Sequence, residues 1–254
     1  MGKGQKEPIY SPIDANDDIA ATKIFEAAFE QGKKEPSNKV HDGAKIVLSA
    51  LFVPTLFDDS IRDAASSAAF PGGMFTKRDG FKIARYAPHA AAYAYGLDQC
   101  KLYMTAEECA TGYPIPDNFI LAIEYEMAYI HLHVLGTFPL DYMFTLERDR
   151  FNWTLGETSG LSIREHVGTE ACRRELRSFV EDFVTESAPN YRDHIVAILS
   201  MGEASTAAIS ELEEIAHGVV GKGVAKVYSS IDPALAASYG AALYAWESAL
   251  NQFY

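Results

Sequence analysis

After a polar start the chain alternates between two hydrophobic periods. In "DDIAATKIFEAAFEQGKK" the apolar residues Ile19, Ile24, Phe25, Ala28 and Phe29 recur at helical spacing, with Asp17 and Asp18 at the start and Gly32 and two lysines at the end. That pattern predicts an amphipathic helix. "AKIVLSALFVPTLF" is rich in β-branched and large apolar residues and is broken by Pro54, which predicts a buried strand running into a turn. "DDSIRDAASSAAF" predicts a helix capped by Asp58 or Asp59 and stopped at "GGM". "GFKIARYAPHAAAYAYGL" predicts a short strand and then an alanine-rich helix from about Pro88, since proline suits a first helical turn.

From Asn118 to about Thr154 the period shortens to that of strands. "NFILAIEYE", "AYIHLHVLG", "LDYMFTLER" and "RFNWTL" predict three or four strands, close enough in sequence to be antiparallel neighbours. Beyond them come a helix in "REHVGTEACRRELRSFVEDFVTES", a buried strand in "DHIVAILSMG" and a helix capped by Ser205 in "STAAISELEEIAHGV". A last strand in "VAKVYSS" leads to a helix with Pro233 in its first turn. This order is that of an α/β layered domain. The plausible linkers are residues 1–16, "GYPIPDN" and "GETSGLSIREHVG".

One segment breaks the logic of the strands. "IEYEMAYIHLHV" begins and ends as a sheet interior, yet carries Glu124, Glu126, His131 and His133. Alternation puts both histidines on one face, as a metal site on a sheet requires, with a third ligand from Glu124, Glu126 or Asp141. The competing expectation is a solvated or loop-covered face, and no metal or other cofactor is expected. Glu124 and Glu126 share strand parity, so one of them could have a raised pKa and act as an acid; the competing expectation is a hairpin tip in water.

Composition narrows the class. The chain has 254 residues, 48% of them hydrophobic and 12% aromatic, which is ample for a core. The formal charge of −13 and the pI of about 4.9 set it against a phosphate backbone, so no nucleic acid partner is expected. The start lacks the apolar run of a signal peptide, and no stretch has the uninterrupted hydrophobicity of a membrane span; no membrane partner and a cytoplasmic location are expected. Cys100, Cys109 and Cys172 are too few and too irregular for a disulfide framework or a closed zinc site and are read as reduced thiols without catalytic duty.

Three segments together resemble the nucleotide-binding domain of the seventy-kilodalton heat-shock chaperones, in the actin-like ATPase superfamily. "FVPTLFDDSIRDAASSA" is similar to that family's V-P-A-Y-F-N-D-x-Q-R-x-A segment. "ARYAPHAAAYAYGLD" is similar to I-N-E-P-T-A-A-A-x-A-Y-G-L-D, and "SSIDPALAASYGAALYA" to the closing N-P-D-E-A-V-A-Y-G-A-A. The resemblance covers roughly Ile19 to Trp246, with gaps. It implies an α/β fold with an actin-like, ribonuclease-H-like sheet flanked by helices, missing peripheral subdomains and the first phosphate hairpin. On it, residues 1–16 are a flexible N-terminal segment and 17–254 a single domain. Residues 17–112 would be a partial first lobe with its connecting helix, and 113–254 a second-lobe-like part.

The same resemblance gives the polar strand a meaning. "ILAIEYEMAYIHLHVL" aligns without a gap on V-L-I-F-D-L-G-G-G-T-F-D-V-S-I-L, the hairpin whose glycines admit nucleotide phosphates. Glu124 stands for the aspartate, Glu126, Met127 and Ala128 for the glycines, and Tyr129 for the threonine. Ala87 stands at the catalytic glutamate, His89 at the following threonine, and "MGEAST" at G-G-S-T-R, with Gly202 kept and Glu203 replacing the second glycine. Amides that cradle phosphate need side-chain-free neighbours, and a glutamate adds bulk and like charge.

The resemblance with these changes implies a catalytically degenerate protein that binds a partner protein or a small ligand in the former cleft. A homodimer or a hetero-partner is expected, since a missing subdomain bares apolar surface. The rival expectation is an enzyme doing acid–base chemistry on a small organic metabolite, with His89, Glu124 and Glu126 as its catalytic groups. Tyr93, Tyr129, Gly202 and Glu203 would line the ligand. For His89 the bland alternative is a packing or capping residue. A third expectation, an active ATPase, needs another chain to complete it. "DDSIRD" reads as a cap with surface charges and "GVVGKGV" is no phosphate loop, for it lacks the G-K-[ST] ending.

Overall fold

The periodic segments form the elements their spacing predicts. The computed structural model of the chain describes residues 15–37, 48, 50–71, 75–76, 80–81, 83–99, 102, 107, 118–138, 143–160, 165, 168–186, 191–221 and 225–250. The chain divides into two compact units, residues 1–84 and 85–254.

The first unit holds helix α1 (Ala15–Ser37), strand β1 (Ala50–Val53), helix α2 (Asp59–Ala69) and a small antiparallel pair, β2 (Phe75–Thr76) with β3 (Gly80–Phe81). Of the two candidate caps, Asp58 is the one used: its carboxylate accepts the N–H of Ile61 at 2.9 Å, a contact typically worth about 1 kcal/mol. Phe25 of α1 lies 5.8 Å from Phe57, and the alanine face of α2 is buried. The charges of Asp59 and Asp63 are at the surface, as a cap region predicts.

Strand β4 (Ile83–Tyr86) leads into the second unit, where helix α3 (Ala87–Ala94) has Pro88 in its first turn. Then come strands β5 (Phe119–Tyr125), β6 (Ile130–Phe138) and β7 (Met143–Asn152), helix α4 (Thr169–Thr185), strand β8 (Ile195–Met201), helix α5 (Thr206–Val220), strand β9 (Lys226–Tyr228) and helix α6 (Pro233–Leu250). "LDYMFTLER" and "RFNWTL" belong to one strand, β7, because its pairing with β6 continues to Asn152, through one register shift between Val134 and Leu135. The sheet is mixed, in the order β7-β6-β5-β8-β9: β5–β6 and β6–β7 are antiparallel, β5–β8 and β8–β9 parallel. Parallel neighbours need crossovers, which the helices between them supply.

Every residue of β5 is buried, as a central strand covered on both faces must be. Phe119, Leu121, Ile123 and Tyr125 point into a core with Ile130, Leu132 and Val134 of β6 and the inner faces of α4 and α5. Ile120 and Ala122 point the other way, into a core with Leu135, Ala197, Leu199, Met201, Ala91 and Ala92 of α3, and Ala236 of α6. Layers of helix, sheet and helix follow directly from that alternation.

The stretch read as a linker after Trp153 begins otherwise. Residues 156–160 fold over the tip of the β5–β6 hairpin, with the N–H groups of Glu157 and Thr158 donating to the carbonyls of Glu126 (3.0 Å) and Met127 (2.7 Å). Only glycine fits at 156, since a Cβ there would sit 2.1 Å from the Tyr129 nitrogen. Asp141, Cys100, Cys109, residues 1–14 and most of "GYPIPDN" lie outside the described residues, while Ala15 and Asn16 are helical. Cys172 is buried with a free thiol, and no described helix is long and apolar enough to cross a membrane.

Candidate functional site

The register of β5 on β6 places Glu124 directly opposite His131 and Ala122 opposite His133, so the three ionisable side chains share the face that carries α3. They are neither at a water-filled tip nor on a solvated face: Glu124 is 6% exposed, His131 1% and His133 0%. For these three residues the bland expectations fail for one reason, while Glu126, half-buried, does sit at the hairpin tip. The sheet face at this point is roofed by helix, so what alternation sends there is buried.

Inside, the polar atoms connect in part. The Tyr129 hydroxyl donates to Glu124 Oε1 at 2.7 Å, and His131 Nε2 meets Asp149 Oδ2, from β7, at 2.7 Å. The two imidazole rings lie 4.1 Å apart. His133 Nε2 stands 3.6 Å from Glu124 Oε2, too far for a hydrogen bond, and among the described residues neither ring nitrogen of His133 nor that carboxylate oxygen has a hydrogen-bond partner.

Burial dominates the electrostatics. It pushes His133 down to about 4 against the pull of Glu124, and His89, on the first turn of α3, down to about 4 with help from the nearby Arg85 and His133 charges. Burial also pushes the Glu124 carboxyl upward, but the closeness of His133 and the bond from Tyr129 outweigh it and leave the group below its ordinary value. For the pair, the state at neutral pH is an ionised Glu124 beside a neutral His133. Asp149 is held low chiefly by its bond with His131, and burial, with Glu124 next to it, raises the Tyr129 hydroxyl.

The second feature is the loop from β8 to α5. All four of its consecutive N–H groups are taken by internal acceptors. Gly202 donates to the Pro233 carbonyl (3.2 Å), Glu203 to the Glu126 carboxylate (3.1 Å), Ala204 to the Tyr125 carbonyl (3.1 Å) and Ser205 to the Glu157 carboxylate (2.7 Å). Ser205 also caps α5 through the Ala208 N–H. Gly202 has φ +117°, and a Cβ there would lie 2.2 Å from the Tyr125 carbonyl oxygen. A helix N-terminus preceded by converging amides is an anion site by its physics; here Glu126 and Glu157 already fill it. Burial raises Glu126, with Glu124 and Glu203 adding to the rise, although the Glu203 N–H opposes it.

The sequence candidates therefore separate. Glu124, His131 and His133 come together with Tyr129, and the His133 charge reaches His89. Glu126, Gly202 and Glu203 form the loop contact. Tyr93 goes elsewhere: its hydroxyl donates to Glu247 of α6 and its ring lies 5.3 Å from Tyr244. Sequence reasoning missed Asp149 and Glu157. Asp149 shares a face with His133 only through the β6–β7 register, and Glu157 sits in a stretch whose polar composition reads as a linker. A groove of about 520 Å³ lined by Tyr95, Lys226, Tyr228 and Ser229 contains none of the candidates. The chain is thus a mixed α/β protein with a buried histidine–carboxylate cluster and a self-occupied anion loop. No protein-family model matches it, and no curated protein matches it in sequence.

Proposed function

We propose that this chain is a degenerate relative of the seventy-kilodalton heat-shock ATPases that no longer turns over nucleotide and acts by binding a protein partner. The relation rests on the three matched segments, and a three-stranded antiparallel meander continued by two parallel strands is compatible with a ribonuclease-H-like sheet. The loss of turnover is carried by one observation: the four amides from Gly202 to Ser205 are satisfied from within, two of them by carboxylates. A triphosphate would have to displace Glu126 and Glu157 and face Glu203 besides, trading satisfied bonds for like-charge repulsion.

Binding of a protein is favoured by α6. Leu235, Tyr239, Ala242 and Trp246 fall at i, i+4, i+7 and i+11, one narrow stripe, and the three large ones are at least half exposed. Tyr and Trp are the residues that dominate protein interfaces. Calorimetry with ATP and magnesium is expected to show no binding, and light scattering or recovery from native extract a homodimer or a hetero-partner that is lost when Tyr239 and Trp246 are both changed to Ser. A micromolar dissociation constant for ATP, or a monomer that recovers no partner, would count against the proposal.

A second reading, a small-molecule acid–base enzyme, is favoured by the chain of contacts from the half-buried Tyr129 hydroxyl through Glu124 to His133. On that reading His89→Ala and Glu124→Gln each lower conversion by about two to four orders of magnitude. Identical metabolite profiles in cells carrying wild-type and variant protein, with a deletion strain differing from both, would remove it.

A further inference from the structure

We propose that Glu124, His131 and His133 form a binding site for a divalent transition-metal ion of the zinc class. The three residues each offer one ligand atom, and those atoms all lie within 4.8 Å of one another. One edge, His133 Nε2 to Glu124 Oε2 at 3.6 Å, is close to the edge of about 3.4 Å that tetrahedral zinc with bonds of about 2.0–2.2 Å requires. An ion held there touches both atoms, while without one they are too far apart to bond each other.

The cost of the cluster argues in the same direction. Both His133 nitrogens and Glu124 Oε2 are buried and, among the described residues, without a hydrogen-bond partner. Each such group costs roughly 1–3 kcal/mol when left unmade, so three together make an expensive arrangement for a sheet interior that Leu or Val could fill. A metal ion satisfies at least one atom on each residue and neutralises the buried carboxylate. Asp149 fits the pattern: a metal-bound imidazole ordinarily gives its outer nitrogen to a carboxylate, and Asp149 meets a ring nitrogen of His131 at 2.7 Å.

The donor set selects the ion. Two imidazoles and one carboxylate suit zinc and its first-row neighbours, whereas magnesium and calcium take oxygen ligands and would find one carboxylate here. Three protein ligands leave a fourth position for water or an incoming group, which distinguishes the site from closed four-ligand zinc sites. The hairpin supplies every ligand, Glu124 from β5 and both histidines from β6, so the ion would fasten the two strands just inside the turn at 126–129.

The test uses the full chain, stripped with chelator and titrated with Zn²⁺ by calorimetry, with the metal content measured after gel filtration. About one retained zinc per chain is expected, unaffected by excess magnesium. Glu124→Gln and His133→Gln are each expected to weaken binding by about a hundredfold or more, and His194→Asn, at an exposed histidine, to leave it unchanged. Failure of the folded wild type to retain zinc would overturn the proposal, as would retention unchanged in both variants. Should those variants not fold, Co²⁺ bound to the wild type decides: the intense visible bands of a four-coordinate site support the cluster, and the weak spectrum of a water-rich octahedral ion overturns it.

Discussion

Lowering the pH from 7 to 4, in chelator, is expected to destabilise this protein by several kcal/mol, with most of the loss above pH 4. His89 and His133 are buried and have pKa values of about 4 in the fold, against the ordinary 6.5. Between those values the unfolded chain binds protons that the folded chain does not, so stability rises with pH across the window. It is fully present above about 6.5 and is lost as the pH falls toward 4. Each histidine contributes on the order of 3 kcal/mol across the window, large beside the 5–15 kcal/mol of a typical domain. Glu124, held below its ordinary value, adds a loss of the same sign at the acid end. The opposing effect is relief of net repulsion, for the chain carries a formal charge of −13 and acid reduces it. His89→Leu isolates the buried term, because it removes one titrating group and leaves the acidic surface intact. Urea midpoints at closely spaced pH values should fall steeply in the wild type and less steeply in His89→Leu. Equal slopes, or a flat profile between pH 7 and 5, would show that the burial of His89 is not what sets the acid limit.

Gly240→Ala is expected to destabilise the second unit by about 2 kcal/mol, although alanine is the better helix former. The two effects have opposite sign, and their sizes decide. Replacing an interior helical glycine gains about 1 kcal/mol in propensity. At 240, however, a Cβ would lie 1.7 Å from the Ala90 carbonyl oxygen and 2.6 Å from its carbon, both backbone atoms of α3 that no rotamer change can move. The helices would have to separate, loosening the Tyr93–Glu247 bond and the Tyr93–Tyr244 contact between them, and overpacking of this kind costs about 1–3 kcal/mol or more. Gly32 is the internal control: it lies in α1 with nothing within 4 Å of the added Cβ, so Gly32→Ala is expected to be neutral or stabilising by up to about 1 kcal/mol. Denaturant midpoints of the two variants should move in opposite directions or, at the least, only that of Gly240→Ala should fall. A stabilised Gly240→Ala would mean that α3 and α6 do not cross this closely.

The amino-acid sequence by itself determined what depends on neighbours along the chain. Alternation set the strands of the meander and put His131 and His133 on one face, period 3.6 set the helices, and local chemistry set their starts: Asp58 and Ser205 as caps, Pro88 and Pro233 in first turns. The boundary between the third strand and its extension was misread, because the charged run Arg148 to Arg150 interrupts the apolar alternation, and the start of the stretch after Trp153 was misread because its polar composition resembles a linker. What the tertiary structure decided was everything that depends on which strand lies beside which, and on what covers a face. Strand pairing brings Glu124 opposite His131 and Asp149 within reach of it, and a slip of one residue would have turned all of them to the other face. Helix α3 over that face turned an apparently solvated pair of histidines into buried ones and drew His133 and His89 to low pKa. The sequence marked Gly202, Glu203 and the Ser205 cap, but the acceptors of this loop's amides, Glu126 and Glu157, reach them from 77 and 48 residues away in sequence, a distance across which no local pattern carries information.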